Sequence, residues 1–167
     1  MCLISVGTLH AASCQNDCRA MLTIEHKQQE AESRTTEAPE IRPGVPLHFA
    51  SGLLGFEANK DFELISDEEL NPYQWLKGTD ADQSFLVIPP SFAVENYSVE
   101  LAEDDVVMLE LSDQADAVLL CIATYHVNES VTINLKGPIV YNKKTLQGKQ
   151  IVPLNAADLS LAHPMGN

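Results

Sequence analysis

From Pro46 to Pro153 short apolar stretches alternate with clusters of Gly, Pro, Asn and Asp, the punctuation of short strands rather than of long helices. Val45–Phe49 reads as an extended apolar segment, followed by a turn at Ser51-Gly-Leu-Leu-Gly55. Phe62 and Leu64 alternate with Asp61 and Glu63, the period of two that buries one face of a strand and leaves the other in water. Ser66-Asp-Glu-Glu69 has capping-box spacing and predicts a brief helical turn. Phe85–Ile88 is a strand stopped by Pro89-Pro90, and Tyr97, Val99 and Leu101 alternate with Ser98 and Glu100. Glu103–Leu111 starts acidic and turns apolar, which predicts a short helix because carboxylates complement the positive end of its dipole. Ala117–Val127, the longest apolar run, has the β-branched and aromatic content of a buried central strand. Val131–Leu135, Ile139–Asn142 and Lys149–Pro153 complete the set, with a hairpin connection across Asn142–Gly148. The fold class that follows is all-β: a small barrel-like or sandwich domain of short antiparallel strands with one short helix.

Composition shifts at the start of this pattern. Residues 1–43 show no sustained periodicity, and Glu25–Glu37 is polar, with too little apolar surface to offset the entropy of ordering it. The expected organisation is a mostly disordered extension, 1–43, and one β domain, 44–167, with Met21 as an alternative start. The opening stretch loosely resembles a lipoprotein signal ending before Cys14, but it lacks Lys or Arg ahead of its apolar part, and Thr8 and His10 interrupt it. A surface-attached lipoprotein using Cys14 remains a competing reading.

Charge narrows the partners. The chain has 24 acidic and 10 basic residues, net −14, and the body from Pro46 has 18 acidic against 6 basic, net −12. Such a surface repels phosphates and anionic headgroups. Protein partners are expected, with no direct nucleic acid and no membrane. No apolar run approaches the roughly 18 residues of a spanning helix. Three of the four cysteines lie in the first 18 residues, so no disulfide framework spreads over the body, which fits a reducing, cytoplasmic compartment.

Catalytic and metal chemistry find little support. Cys121 and His126 are the only nucleophile–base candidates in the body, and five residues apart on a strand they face opposite ways. His10, Cys14, Cys18 and His26 could offer four metal ligands, but Cys-x3-Cys is not a specific zinc spacing. Asp67–Glu69, Asp80 and Asp82, Glu103–Asp105, Asp113 and Asp116 fall in turns or at a helix start, where solvation is expected, and Asp80-Ala-Asp82 lacks the rest of a calcium loop. The expectation is no catalytic residue, no metal and no cofactor. A small-molecule-binding or enzymatic barrel is the alternative; it needs a pocket that one chain cannot reveal.

A few residues are more pointed than a plain scaffold needs. Trp75, the single tryptophan, stands beside Tyr73 and Leu76 after a turn at Asn71-Pro72. Phe92 follows the Pro89-Pro90 break. Asn134 reads as mid-strand, and Asn142 ends the next strand; each fixes either a turn or a ligand backbone, because a buried amide needs hydrogen bonds. Trp75, Phe92, Asn134 and Asn142, with the acidic Glu103, Asp104 and Asp105, form the candidate partner-binding set.

Taken in order, the segments resemble the flagellar assembly factor FliW family. Gly52-Leu-Leu-Gly55-Phe-Glu57 is similar to its G-L-P-G-F-E element, and Tyr73-Gln-Trp75-Leu76 to its aromatic-x-W-L segment. Phe85-Leu-Val-Ile-Pro-Pro90, with Phe92 and Tyr97 beyond, resembles its strand ending in D-P. Thr132-Ile-Asn134-Leu-Lys-Gly-Pro138-Ile-Val-Tyr-Asn142 resembles T-x-N-L-x-x-P-I-x-x-N, and Gly148-Lys-Gln150-Ile-Val follows in place of G-x-Q-x-[IV]. Leu54, Pro89 and Lys136 depart from the family's proline, aspartate and apolar residue. The resemblance implies a non-enzymatic cytoplasmic regulator, a monomer when free. It binds flagellin or, alternatively, the RNA-binding translational regulator CsrA, so that CsrA repression of flagellin translation is relieved when flagellin leaves.

Overall fold

A computed structural model describes residues 22–26, 44–80 and 82–165. Its strands are β1 (Leu22–His26), β2 (Val45–His48), β3 (Asp61–Ser66), β4 (Gln74–Gly78), β5 (Ser84–Ile88), β6 (Tyr97–Leu101), β7 (Ala117–Tyr125), β8 (Val131–Ile133), β9 (Ile139–Asn142), β10 (Gly148–Gln150) and β11 (His163–Pro164), with one α-helix, α1 (Glu103–Met108). The main sheet runs β10-β9-β7-β5-β4-β3-β2, with β8 on β7 and β11 on β8, and every ladder is antiparallel. A separate ladder joins β1 and β6.

The apolar run at 117–127 is accounted for by β7. Alternate side chains leave it in opposite directions, and both directions are covered as far as Ala123; the end of the run departs from the expected buried strand, with Tyr125 exposed and Val127 beyond β7 in solvent. Leu119, Cys121 and Ala123 enter a cluster with Ile88, Tyr97, Val99, Leu101, Ile133 and Val140. Leu120 enters a second cluster with Leu47, Phe49, Phe62, Leu64, Leu76, Val87 and Ile139. Neighbouring β5 and β9 split in the same way: Ile88 and Val140 to the first cluster, Val87 and Ile139 to the second. A strand covered on both faces has no polar alternation to show.

The sheet curls until its two ends meet at one point. His48 N–H donates to Leu146 O at 3.0 Å, beside a single parallel bridge between His48 and Gln147. The Phe49 ring lies against Gly148, where an added Cβ would come within 2.8 Å. The ladder does not continue from there, so the sheet is barrel-like without being closed.

Several elements differ from expectation. Leu22–His26, inside the extension expected to be mostly disordered, pairs with Tyr97–Leu101; the rest of 1–43 lies outside the described residues. The signal was a short alternation, Leu-Thr-Ile-Glu, too brief to read alone. Gln74–Gly78 is a full strand that its mixed side chains concealed. β8 ends at Ile133, so Asn134 is in a turn rather than mid-strand. The capping-box segment became a 3-10 turn, Glu68–Leu70, whose first N–H groups include Glu69 N donating to Asp67 Oδ1. Among the described residues no helix is long and apolar enough to cross a membrane.

Candidate partner-binding surface

Two of the singled-out side chains face outward. Trp75 stands on the outer face of β4, 38 % exposed, and Phe92 ends a 3-10 turn at Pro90–Phe92, 58 % exposed. Pro90 and Ser91 beneath Phe92 are buried, so its backbone is anchored while its ring is free.

The two asparagines work internally. Asn134 Oδ1 accepts from Lys136 N and Gly137 N, each at 3.0 Å, closing the turn after β8. Asn142 is 2 % exposed; its Nδ2 donates to Leu109 O at 2.9 Å and Glu110 O at 3.0 Å, and its Oδ1 accepts from Lys144 N at 2.9 Å. Both carbonyls belong to the end of α1, where Glu110 has φ 52°. Asn142 therefore fastens α1 to the β9–β10 hairpin, and Lys149 of β10 adds a second fastening by donating to Asp105 Oδ1.

That pairing corrects the expectation for the acidic cluster. Glu103 and Asp104 are exposed, but the Asp105 side chain is 14 % exposed and ion-paired. Asp116 departs likewise: buried, it pairs with Lys144 at 2.8 Å. Both carboxylates lie where a long lysine from the β9–β10 region can reach, which no local pattern displays. The outward face of α1 thus carries Glu103 and Asp104 beside Val107, which is 71 % exposed, and Met108.

A residue not singled out as a site, Gln150, ties three motif segments together. Its Oε1 accepts from Leu54 N at 3.0 Å and its Nε2 donates to Gly137 O at 3.1 Å. The loop thereby held has Gly52 at φ 69° and Gly55 at φ 84°, a region L side chains avoid. Glu57 closes its tip: the Gly55 N–H donates to Glu57 Oε1 at 2.8 Å and holds that carboxyl below its ordinary range. Asn155 is a second such brace. It covers one edge of β6, accepting from Glu100 N at 3.2 Å and donating to Ser98 O at 3.1 Å.

Cys121 is wholly buried, and burial pushes its thiol up to about 12, a poor setting for a nucleophile. Tyr97, whose hydroxyl donates to Leu135 O at 2.6 Å, is raised as well, chiefly by desolvation. His126 lies beyond β7 with Nε2 2.8 Å from Thr132 Oγ1. Among the described residues no group of three His, Cys, Asp or Glu side chains is placed to hold a metal ion. His10, Cys14 and Cys18 lie outside them.

These features define an antiparallel β module whose polar motif residues brace loops and a short helix, leaving aromatic, aliphatic and acidic groups at the surface. The FliW protein family model matches residues 26–165. A flagellar assembly factor FliW of Leptospira interrogans is 38% identical over 112 residues, 65% of this chain and 75% of that protein. One from Natranaerobius thermophilus is 32% identical over 131 residues, 77% of this chain and 86% of that protein. A crystal structure of the flagellar assembly factor FliW superposes with TM-score 0.67 at 26% identity, covering 71% of this chain and 84% of that one. The chain belongs to the FliW family.

Proposed function

We propose that this chain is a non-enzymatic cytoplasmic factor that binds flagellin and, alternatively, CsrA, relieving CsrA repression of flagellin translation. The observation that carries this reading is the family match across residues 26–165. Geometry adds a mode of action. The body from Pro46 holds 18 acidic and 6 basic residues, and α1 displays Glu103 and Asp104 next to exposed Val107 and Met108. A regulator that grips RNA must offer a basic surface, so an acidic protein docked beside it repels the phosphates. That field decays over about 8 Å at physiological salt, so contact is required.

The test is a pull-down from native lysate with the full chain as bait, repeated with Phe92→Ala. Recovery of flagellin or CsrA, weakened in the variant, supports the reading and locates part of its surface. Recovery of neither, with bait folded and both proteins present in the lysate, would sink it.

A further inference from the structure

The outer face of the main sheet carries an apolar row that starts inside the core and ends in solvent. Cross-strand register sets Ile133, Ala123, Leu86, Trp75 and Ile65 side by side on β8, β7, β5, β4 and β3. Ile133 and Ala123 are buried, Leu86 and Ile65 half-buried, and Trp75 exposed. Tyr97, Val99 and Leu101 of β6 share a cluster with Ile88 and Cys121, one cross-strand row away. The cover that buries this face therefore stops short of Trp75.

Acidic turns bracket the exposed end of the row. Asp67, Glu68 and Glu69 lie where β3 turns into β4, and Asp80 and Asp82 where β4 turns into β5; all five are exposed. Lys77, the only cation on β4, sits opposite Glu63. The five residues of β4 set the two turns roughly 17 Å apart, at about 3.3 Å per residue.

We propose that the Ile65–Trp75–Leu86 row is a docking surface for a protein segment presenting apolar side chains flanked on both sides by Lys or Arg. The charges choose this occupant. Nucleic acid and a second copy of this chain, itself net −14, are both repelled, whereas a basic-flanked apolar segment satisfies row and turns together. Aromatic anchors such as Trp75 carry much of the energy at interfaces of this kind. The proposal rests on the reading above only in supposing a protein partner, and it adds that partner's contact chemistry.

Trp75 is the only tryptophan of the chain, so its emission reports on this face alone. The full chain is titrated with a fluorescein-labelled synthetic peptide of two leucines with two lysines on either side. Two control peptides carry serine for leucine or glutamate for lysine. Docking on the row shifts Trp75 emission to the blue and lowers its quenching by acrylamide. Either control, or the Asp80→Lys/Asp82→Lys double variant, weakens binding about tenfold, the equivalent of about 1.4 kcal/mol. Peptide binding seen by anisotropy with Trp75 emission unchanged, binding indifferent to the leucines, or no binding overturns the proposal. Since the probe is synthetic, such a failure leaves the flagellin and CsrA pull-down untouched, and the reverse also holds.

Discussion

β7 and β4 belong to one sheet but meet opposite surroundings. β7 sends Leu119 and Cys121 into one cluster and Leu120 into another. β4 buries Leu76 and Gly78 on one side and turns Trp75 and Lys77 to the outside. The same pleated geometry thus supplies stability where both faces are covered and a usable surface where one is not. Truncation should separate the two most sharply. Leu120→Ala leaves a cavity between packed rings and aliphatics and should remove about 2–5 kcal/mol in urea unfolding. Lys77→Ala, on the open face, should stay within about 0.5 kcal/mol. Equal effects would mean that β7 is not the shared wall of two cores.

The next contrast is between the two asparagines. Asn142 is buried and bonds the end of α1, whereas Asn134 is half-buried and closes a local turn. Asn142→Ala leaves Leu109 O, which is buried, short of its donor at a cost of about 1–3 kcal/mol, and takes a donor from the part-buried Glu110 O as well. Faster amide exchange should appear first in α1, because its other fastening, Lys149 to Asp105, sits at the helix start. Exchange rising evenly over the domain would show that Asn142 braces the whole fold rather than the helix.

Alkaline titration probes the covered side of β7. The Cys121 thiol is raised to about 12 by burial, so the folded chain keeps a proton that the unfolded chain gives up near pH 9. The unfolded state then binds fewer protons, and stability falls as pH rises. The contribution is complete below the unfolded chain's value and declines above it by about 1.4 kcal/mol per pH unit. Tyr97 acts in the same direction from its own ordinary value upward. Cys121→Ala should remove the earlier part of that decline, and an unchanged slope from pH 9 to 10 would place the thiol in water.

How much of this was legible depended on whether the information was local. The strands at Tyr97–Leu101 and Ile139–Asn142, the start of α1 and the hairpin after Asn142 followed from periodicity and turn residues. Gln74–Gly78 did not, because Gln, Trp, Lys and Gly mix polarity on a strand open on one side. Leu22–His26 did not, because its pairing to β6 spans more than 70 residues. Among the candidate residues, the outward placement of Trp75 and Phe92 follows from their standing as aromatics beside turns. The roles of Gln150, Asn155 and Lys149 do not follow from such local cues, since each is set by a partner far away in sequence.

The smallest predicted difference is between neighbours. Asp104 and Asp105 are adjacent carboxylates in the first turn of α1, alike in type and in relation to the helix dipole. Only Asp105 turns inward to Lys149, and both members of that pair are mostly covered. Such a pair falls between an exposed bridge, worth up to about 1 kcal/mol, and a buried one, whose breaking costs about 3–5 kcal/mol. Lys149, 25 % exposed, keeps some access to water, so Asp105→Asn should cost near the lower figure, about 1 kcal/mol. Asp104→Asn should cost under about 0.5 kcal/mol and instead reduce the salt dependence of partner binding, because its charge is open to approach. If both variants unfold at the same urea concentration, the Lys149 contact contributes nothing to stability, and α1 is held by Asn142 and by the packing of Val106 and Leu109. If Asp105→Asn also shifts partner binding more than Asp104→Asn, the partner reads how α1 is held, not only the charge it displays.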